Sequence, residues 1–432
     1  MTQITPTPFA KPFTATVEPP GSKSLTNRAL VLAALAHGTS RISNILIADD
    51  TLVMREALRK VGLEVEVDRP ARAVQITGAR GRVPAQGASI FCGNSGTTMR
   101  FLCALCSLGK GEFTLDGITR MRQRPMGELG SMLKNLGVRI DYPENEGFPP
   151  VLVAADGLPG GRLRVGVTQS SQYLSAVLQI APYARFETLV DLDWPLTSWP
   201  YVAMTMRLMD EFGCTPELLR DETTQLPQRI NVPRMPYVAC NYEVEPDASS
   251  ASYFLAAAAI REDAKATIRN LGKHSLQGDA HVADLLRKMG ADVKLGHDSL
   301  TVTGTGELQG IDVSMADMPD MAQTLAVVAL FADGPTTLRD LYTLRVKETD
   351  RIAALAAELQ KLGAGVKVEG DSLTIEPPKH LRPAIIDTYD DHRMAMSFAV
   401  AATRSSGITI NNPECVKKTY PDFFSDLARL AG

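Results

Sequence analysis

Residues 58–67 read LRKVGLEVEV: the basic last turn of an amphipathic helix, a glycine, and an alternating strand. Glycine after such a turn is the expected helix stop, because it takes the left-handed conformation without a Cβ penalty. The alternation beyond it predicts a half-buried strand. The phrase returns as LKNLG ending at Gly137, MDEFG at Gly213, LRKMG at Gly290 and LQKLG at Gly363, at spacings of 75, 76, 77 and 73 residues. Four of these five copies run on into alternating residues: LEVEV, VRIDY, ADVKL and AGVKV. LARLAG, ending at Gly432 and 69 residues further on, is consistent with a sixth copy. The chain reads as six copies of one mixed α/β unit, each long enough for two helices and about four strands.

Six such units exceed one hydrophobic core, so two domains of three units are expected. The segment NYEVEPDASSASYFLAAAAI (241–260) places a junction near Pro246, and FTATVEPPGSKS (13–24) repeats its wording near Pro20. The expected division is 21–245 against 1–20 together with 246–432, with the first residues packing on the C-terminal half.

The 432 residues are 44% hydrophobic and 22% charged, with a net charge of −4. This composition suits a globular protein with ample core and lacks the basic field of a nucleic-acid binder. The first twenty residues show neither an apolar signal core nor an Arg-rich amphipathic pattern, and no apolar run approaches a membrane span. A cytoplasmic location without a membrane partner is the expectation. Six cysteines in so long a chain do not form a disulfide framework, and Cys103 and Cys106, inside FLCALCSLG (101–109), read as buried thiols on one helix face. No H-x-x-x-H pair or cysteine cluster completes a zinc site, so no structural metal is expected.

Several predicted helices open with basic residues, where the exposed N–H groups and positive end of the dipole disfavour them. EPPGSKSLTNRALVLAAL (18–35) brings Lys23 and Arg28, and CGNSGTTMRFLCAL (92–105) brings Arg100 behind the capping residues Asn94 and Ser95 and a permissive Gly96. RVKETDRIAALAAELQKLG (345–363) brings Arg345, Lys347 and Arg351, with Lys347 and Arg351 four apart on one helical face. YDDHRMAMSFAVAAT (389–403) offers Asp390 and Asp391 as caps before His392 and Arg393. Arg120, Arg122 and Arg124 precede Pro125, and Lys417 and Lys418 lie near the end. A single basic residue near a helix end is ordinary solvated surface. Many together, in both halves and beside small residues, predict an interdomain cleft for a ligand or ligand pair with several negative groups.

Neutral polar groups accompany them: Ser170, Ser171 and Gln172 before one apolar helix, and Ser198 and Tyr201 before another. These are N-caps or contacts to a phosphorylated polyol. Asp320, before an apolar helix, is an N-cap or a base; Glu348, among basic residues, is an ion-pair partner or a proton carrier. Nucleotide motifs fail: GSKS (21–24) lacks the P-loop glycines, and GTGELQG (304–310) has the wrong spacing for a dinucleotide fold.

GSKSLTNRAL, GNSGTTMRFL, RMRQRP, SSQYLSA, RVKETDRI, DDHRMAM and KKTYPDFF, in this order over nearly the whole chain, resemble the enolpyruvyl transferases, in particular the enolpyruvylshikimate-phosphate synthase family. The resemblance implies an α/β fold, a two-domain inside-out α/β barrel of six βαβαββ repeats, three per domain, closing on substrate. It implies transfer of the enolpyruvyl group of phosphoenolpyruvate to the 5-hydroxyl of shikimate 3-phosphate, with release of phosphate through a tetrahedral intermediate. No metal or organic cofactor and no nucleic-acid partner are implied, and a monomer is expected. By motif, Lys23, Gly96, Arg124, Gln172, Arg351, Arg393 and Lys418 would hold phosphoenolpyruvate. Lys23, Ser24, Arg28, Ser170, Ser171, Gln172, Ser198, Tyr201, Asp320, Thr343 and Lys347 would hold shikimate 3-phosphate. Asp320 would take the hydroxyl proton, and Glu348, with Lys23 or His392, would handle the proton on the methylene carbon. Thr343 stands where many members carry Asn, and Ser95 where Ala is frequent. The sister transferase acting on a UDP-amino sugar carries a Cys before its RP motif, which GITRMRQRPMGEL (117–129) lacks. A non-catalytic anion-binding homologue is the other alternative.

Overall fold

The computed structural model describes residues 2–431, so Gly432, the expected sixth stop, lies outside the described residues. The other five stop glycines all have positive φ: 90° at Gly62, 89° at Gly137, 80° at Gly213, 115° at Gly290 and 94° at Gly363. Each ends a helical segment that only a residue without a Cβ leaves this way cheaply.

Among the described residues there are twelve α-helices: α1 Lys23–Leu35, α2 Asp49–Lys60, α3 Gly96–Cys106, α4 Gly127–Asn135, α5 Gln172–Ile180, α6 Trp199–Glu211, α7 Ala248–Ala259, α8 Val282–Lys288, α9 Ala322–Val328, α10 Arg351–Lys361, α11 His392–Ala402 and α12 Phe423–Arg429. The second copy shows the repeat plainly. Strand Gly87–Phe91, α3, strand Lys110–Asp116, α4, then the hairpin Arg139–Asp141 and Val151–Asp156 form a four-stranded sheet with one parallel and two antiparallel pairings. Five four-stranded sheets share this pairing pattern, three of them from one contiguous βαβαββ stretch and two with the outer parallel strand supplied from elsewhere in the chain. The sixth departs from it. Ile408–Asn411 pairs in parallel with Ala384–Ile386 but takes its antiparallel partner from Gln3–Ile4, because the residues after Asn411 form a 3₁₀ turn and α12 rather than a hairpin.

The chain divides into two compact units, Gly21–Val244 and the residues up to Pro20 with those from Glu245 onward. Each completes its first sheet with a displaced strand. Asn241–Glu243 joins His37–Ser43 in one unit, and Thr14–Val17 joins Lys265–Arg269 in the other.

Within each unit, alternate helices are buried on all sides. Every residue of α3, α9 and α11 is buried, as is nearly all of α1, α5 and α7, which their apolar, Ala-rich sequences permit. α3 packs on α1 and α5, while α7, α9 and α11 pack on one another. The outer helices α2, α4 and α10 bury one face each. Lys23, Arg28, Arg100 and Arg393 therefore stand in the first two turns of helices whose bodies are locked in a core, Arg351 opens an outer helix, and the other lysines and arginines singled out above lie in 3₁₀ turns and loops. No helix among the described residues is long and apolar enough to cross a membrane.

Candidate active site

In the unit Gly21–Val244, α1 opens at Lys23 with the Ser22 hydroxyl accepting from the Leu25 amide at 3.4 Å and no acid in its first turn. The charge is balanced from the next helix: Lys23 Nζ lies 3.3 Å from Asp50 in the first turn of α2. Arg28 is buried. It donates to the Thr205 hydroxyl (2.7 Å), the Ser24 carbonyl (3.0 Å), the Ser175 hydroxyl (3.2 Å) and the Tyr201 carbonyl (3.3 Å), and stacks over Phe101. Its burial among neutral acceptors lowers the guanidinium to about 10. Such a cation, costly to desolvate, favours an anion nearby.

Two further buried guanidiniums meet at the start of α3. Arg100 donates to the Gln172 side-chain oxygen at 2.9 Å, and Arg124 to the Asn94 carbonyl and side-chain oxygens at 3.0 and 3.3 Å. A Cβ on Gly96 would lie 2.5 Å from Arg100 Nη1 and 2.6 Å from Arg124 Nη2. Glycine here makes room for two cations beside free helix N–H groups, an anion-binding arrangement. The buried Nε–H of Arg124 has no partner among the described residues. Arg122, by contrast, is neutralised by Asp116 and Glu144. Ser95, Ser171 and Ser198 occupy N-cap positions without making side-chain capping bonds, and Ser198 has a left-handed φ of 47°. The Ser95 hydroxyl instead bonds the Thr98 hydroxyl at 2.8 Å. The Ser170 hydroxyl accepts from the Gln172 amide at 3.3 Å.

In the other unit, Asp320 sits in a 3₁₀ turn, Pro319–Met321, ahead of α9, and is no helix cap. Its carboxylate lies 3.0 Å from Arg351, 3.4 Å from Lys347 and 3.1 Å from Arg393. Burial by itself would raise the carboxyl, but Arg393, Lys347 and Arg351 outweigh it and hold Asp320 well below the usual carboxylate value. Glu348 bridges Arg351 (2.9 Å) and Lys418 (3.3 Å). Arg351 is buried and donates to Asp391 at 2.6 and 3.2 Å. Arg393 also donates to the Ser249 and Tyr253 hydroxyls at 3.2 and 3.5 Å. His392, likewise buried, lies 3.6 Å from Asp391. The Thr343 hydroxyl is buried without a partner among the described residues.

Several sequence expectations are refined. Lys347 and Arg351 do not share a helical face: α10 starts at Arg351, and Lys347 ends the 3₁₀ turn Tyr342–Val346 in extended backbone. They converge through Asp320 instead. Of the two proposed caps, Asp391 caps α11, whereas Asp390, with φ 56°, turns the chain before it. Arg345 belongs to ion pairs with Asp371 and Asp350 and stays out of the Asp320 network. Lys418 ends a 3₁₀ turn rather than opening a helix. The buried CALC thiols are held up by desolvation, Cys103 to about 12, as inert core groups. Asp50, Ser249 and Tyr253 were not singled out from sequence. Their short-range context is that of ordinary helix residues, and only their cationic partners mark them.

The EPSP synthase (3-phosphoshikimate 1-carboxyvinyltransferase) family model matches residues 9–427. The 3-phosphoshikimate 1-carboxyvinyltransferase of a Sulfurovum species is 46% identical over 95% of this chain and 95% of its own length. That of Nostoc punctiforme is 44% identical over 96% of each. Among solved structures, an EPSP synthase from Acinetobacter baumannii superposes with a TM-score of 0.81 at 29% identity, covering all of this chain and 98% of the other. The enolpyruvyl transferase NikO from Streptomyces tendae shares the fold, with a TM-score of 0.77 at 20% identity over 99% and 96% of the two chains.

Proposed function

Because the chain belongs to the EPSP synthase (3-phosphoshikimate 1-carboxyvinyltransferase) family, we infer how its own residues carry that reaction. The enzyme transfers the enolpyruvyl group of phosphoenolpyruvate to the 5-hydroxyl of shikimate 3-phosphate and releases phosphate, a step of the shikimate pathway. The hydroxyl oxygen adds to C2 of phosphoenolpyruvate while C3 gains a proton. The tetrahedral adduct then loses a proton from its C3 methyl group together with the phosphate.

The observation that carries the assignment of roles is the Asp320 network: one carboxylate kept ionised by three cations. An ionised Asp320 is ready to accept the 5-hydroxyl proton. In the free protein the cations make it a weak base. Substrate phosphate and carboxylate groups compete for Arg351, Arg393 and Lys347, and so raise its basicity when the reactants are present. Glu348, tied to Arg351 and Lys418, gives and retrieves the C3 proton on this reading, with Lys23 or His392 as its partner in that exchange. Arg124, Arg351, Arg393, Lys418 and Lys23, with Gly96 and Gln172, hold phosphoenolpyruvate. The fixed cations oppose the charge developing on the adduct without having to reorganise. Ser24, Arg28, Ser170, Ser171, Gln172, Ser198, Tyr201, Thr343 and Lys347 hold shikimate 3-phosphate. The uncommitted Thr343 hydroxyl supports the shorter residue at that position as a ligand contact.

Phosphate release from phosphoenolpyruvate, assayed with each acceptor alone, tests the reading. Release is expected only with shikimate 3-phosphate. Release only with UDP-N-acetylglucosamine would assign the sister reaction, and tight binding with no release would leave an anion-binding homologue.

A further inference from the structure

Glu358 lies on α10 two turns after Arg351, hence on the same side of that helix, and it is completely buried. A buried carboxylate is expensive unless its hydrogen-bonding capacity is used. Here it is used on one short segment. Glu358 Oε1 accepts from the Tyr389 hydroxyl at 2.7 Å, and Oε2 accepts from the Asp387 amide at 3.0 Å and pairs with Lys361 at 2.8 Å. Lys361 reaches on to the Ile385 carbonyl (3.2 Å) and the Asp387 carboxylate (2.8 Å), whose other oxygen accepts from Asn411 at 2.7 Å.

The segment held in this way is unusual. Tyr389 and Asp390 are consecutive non-glycine residues with φ of 54° and 56°. Each left-handed residue costs about 1–3 kcal/mol and persists only where its surroundings over-determine it. The turn they make delivers Asp391, which caps α11 through the Arg393 amide (2.9 Å) and grips Arg351 at 2.6 and 3.2 Å. His392 and Arg393 follow directly. α10 thus grips the turn from one end through Glu358, and the turn grips the other end of α10 through Asp391 and Arg351.

We propose that Glu358 is a positioning residue for the transfer reaction: it clamps the turn 387–390 so that Asp391 holds Arg351, and with it the start of α11, in the reactive geometry. Glu358 touches no reactant in this scheme, which rests on the roles given above to Arg351, His392 and Arg393. Misplacement of about 1 Å at a charged group costs up to about a hundredfold in rate.

Tyr389→Phe removes one bond of the clamp with little change of volume, and Glu358→Gln and Glu358→Ala grade the loss. Expected are a fall of about ten- to a hundredfold in kcat/KM for phosphoenolpyruvate in Glu358→Ala, a smaller fall in Tyr389→Phe, and partial rescue in Glu358→Gln. Each loss should persist at temperatures where circular dichroism shows the variant fully folded. In the ligand-free protein, water exchange of the Arg351 Nε–H, assigned by its loss in Arg351→Lys, should quicken at least about tenfold in Tyr389→Phe. That signal needs no turnover, so it decides the proposal even if the wild-type protein fails with both acceptors. Wild-type kcat/KM and unchanged Arg351 exchange in folded Tyr389→Phe and Glu358→Gln would overturn it, as would losses that only track the unfolded fraction.

Discussion

At the residue scale, the proposed reaction turns chiefly on Asp320, whose carboxylate meets three cations. Asp320→Asn keeps the shape and removes the base, so kcat should fall by about 10² or more, with both KM values within about tenfold in steady-state assays. Its titration has a definite sign. The folded pKa is depressed, so the stability due to ionisation is complete above the unfolded value of about 3.9 and is lost as pH falls from there through the folded pKa. The stability gap between wild type and Asp320→Asn, measured by urea unfolding, should therefore narrow between pH 6 and pH 3. Gly96 carries a second prediction. A methyl there would displace the Arg100 and Arg124 guanidiniums, so Gly96→Ala should raise KM for phosphoenolpyruvate by about tenfold or more while the protein melts nearly as before. The importance of Glu348 and Gly96 was legible because each stands near basic residues in the sequence, whereas Asp320 showed only a carboxylate ahead of an apolar helix and took its role from the family resemblance. Asp50 and Ser249 were not, because the cations they meet, Lys23 and Arg393, lie 27 and 144 residues away.

At the scale of the element, the puzzle of cationic helix starts has two answers. α10 and α11 place arginine in the first turn behind genuine aspartate caps: Asp350 accepts from Ile352 and Ala353, both at 3.1 Å, and Asp391 from Arg393. The caps offset the unfavourable dipole and release the guanidiniums for pairing. Asp350→Ala should cost about 1 kcal/mol in urea unfolding, within the usual range for a lost cap. It should also raise KM for phosphoenolpyruvate, since α10 begins with Arg351. α1 and α3 do otherwise. α1 uses Ser22 and balances Lys23 from α2, and α3 has no side-chain cap bond, leaving its first amides beside Gly96 available to an anion. The glycine stops and the strands behind them were readable from local chemistry. The 3₁₀ turns carrying Asp320, Lys347 and Lys418 were not, since no side-chain period distinguishes a tight turn from the first turn of an α-helix.

For the whole molecule, both units bury positive charge, which bound anions should relieve on the proposed reading. Shikimate 3-phosphate with phosphoenolpyruvate should raise the melting temperature, by the equivalent of about 2.7 kcal/mol for each ligand present at a hundred times its Kd. The rise should shrink with added salt if the contacts are ionic. A salt-independent shift, or none, would count against the ionic reading. The six-fold repeat, its glycine stops and the inventory of cations were determined by the sequence alone, because each depends on neighbours within a few residues. Tertiary structure alone decided which charges neutralise one another, as Arg122 and Arg345 do with nearby acids, and which gather around Asp320. It also decided which displaced strand completes each unit. The reason is physical: ion pairing and strand pairing act through a few ångströms of space, so a partner is chosen by where the fold brings it, whether a few residues away, as Asp116 is from Arg122, or in another repeat, as Arg393 is from Asp320.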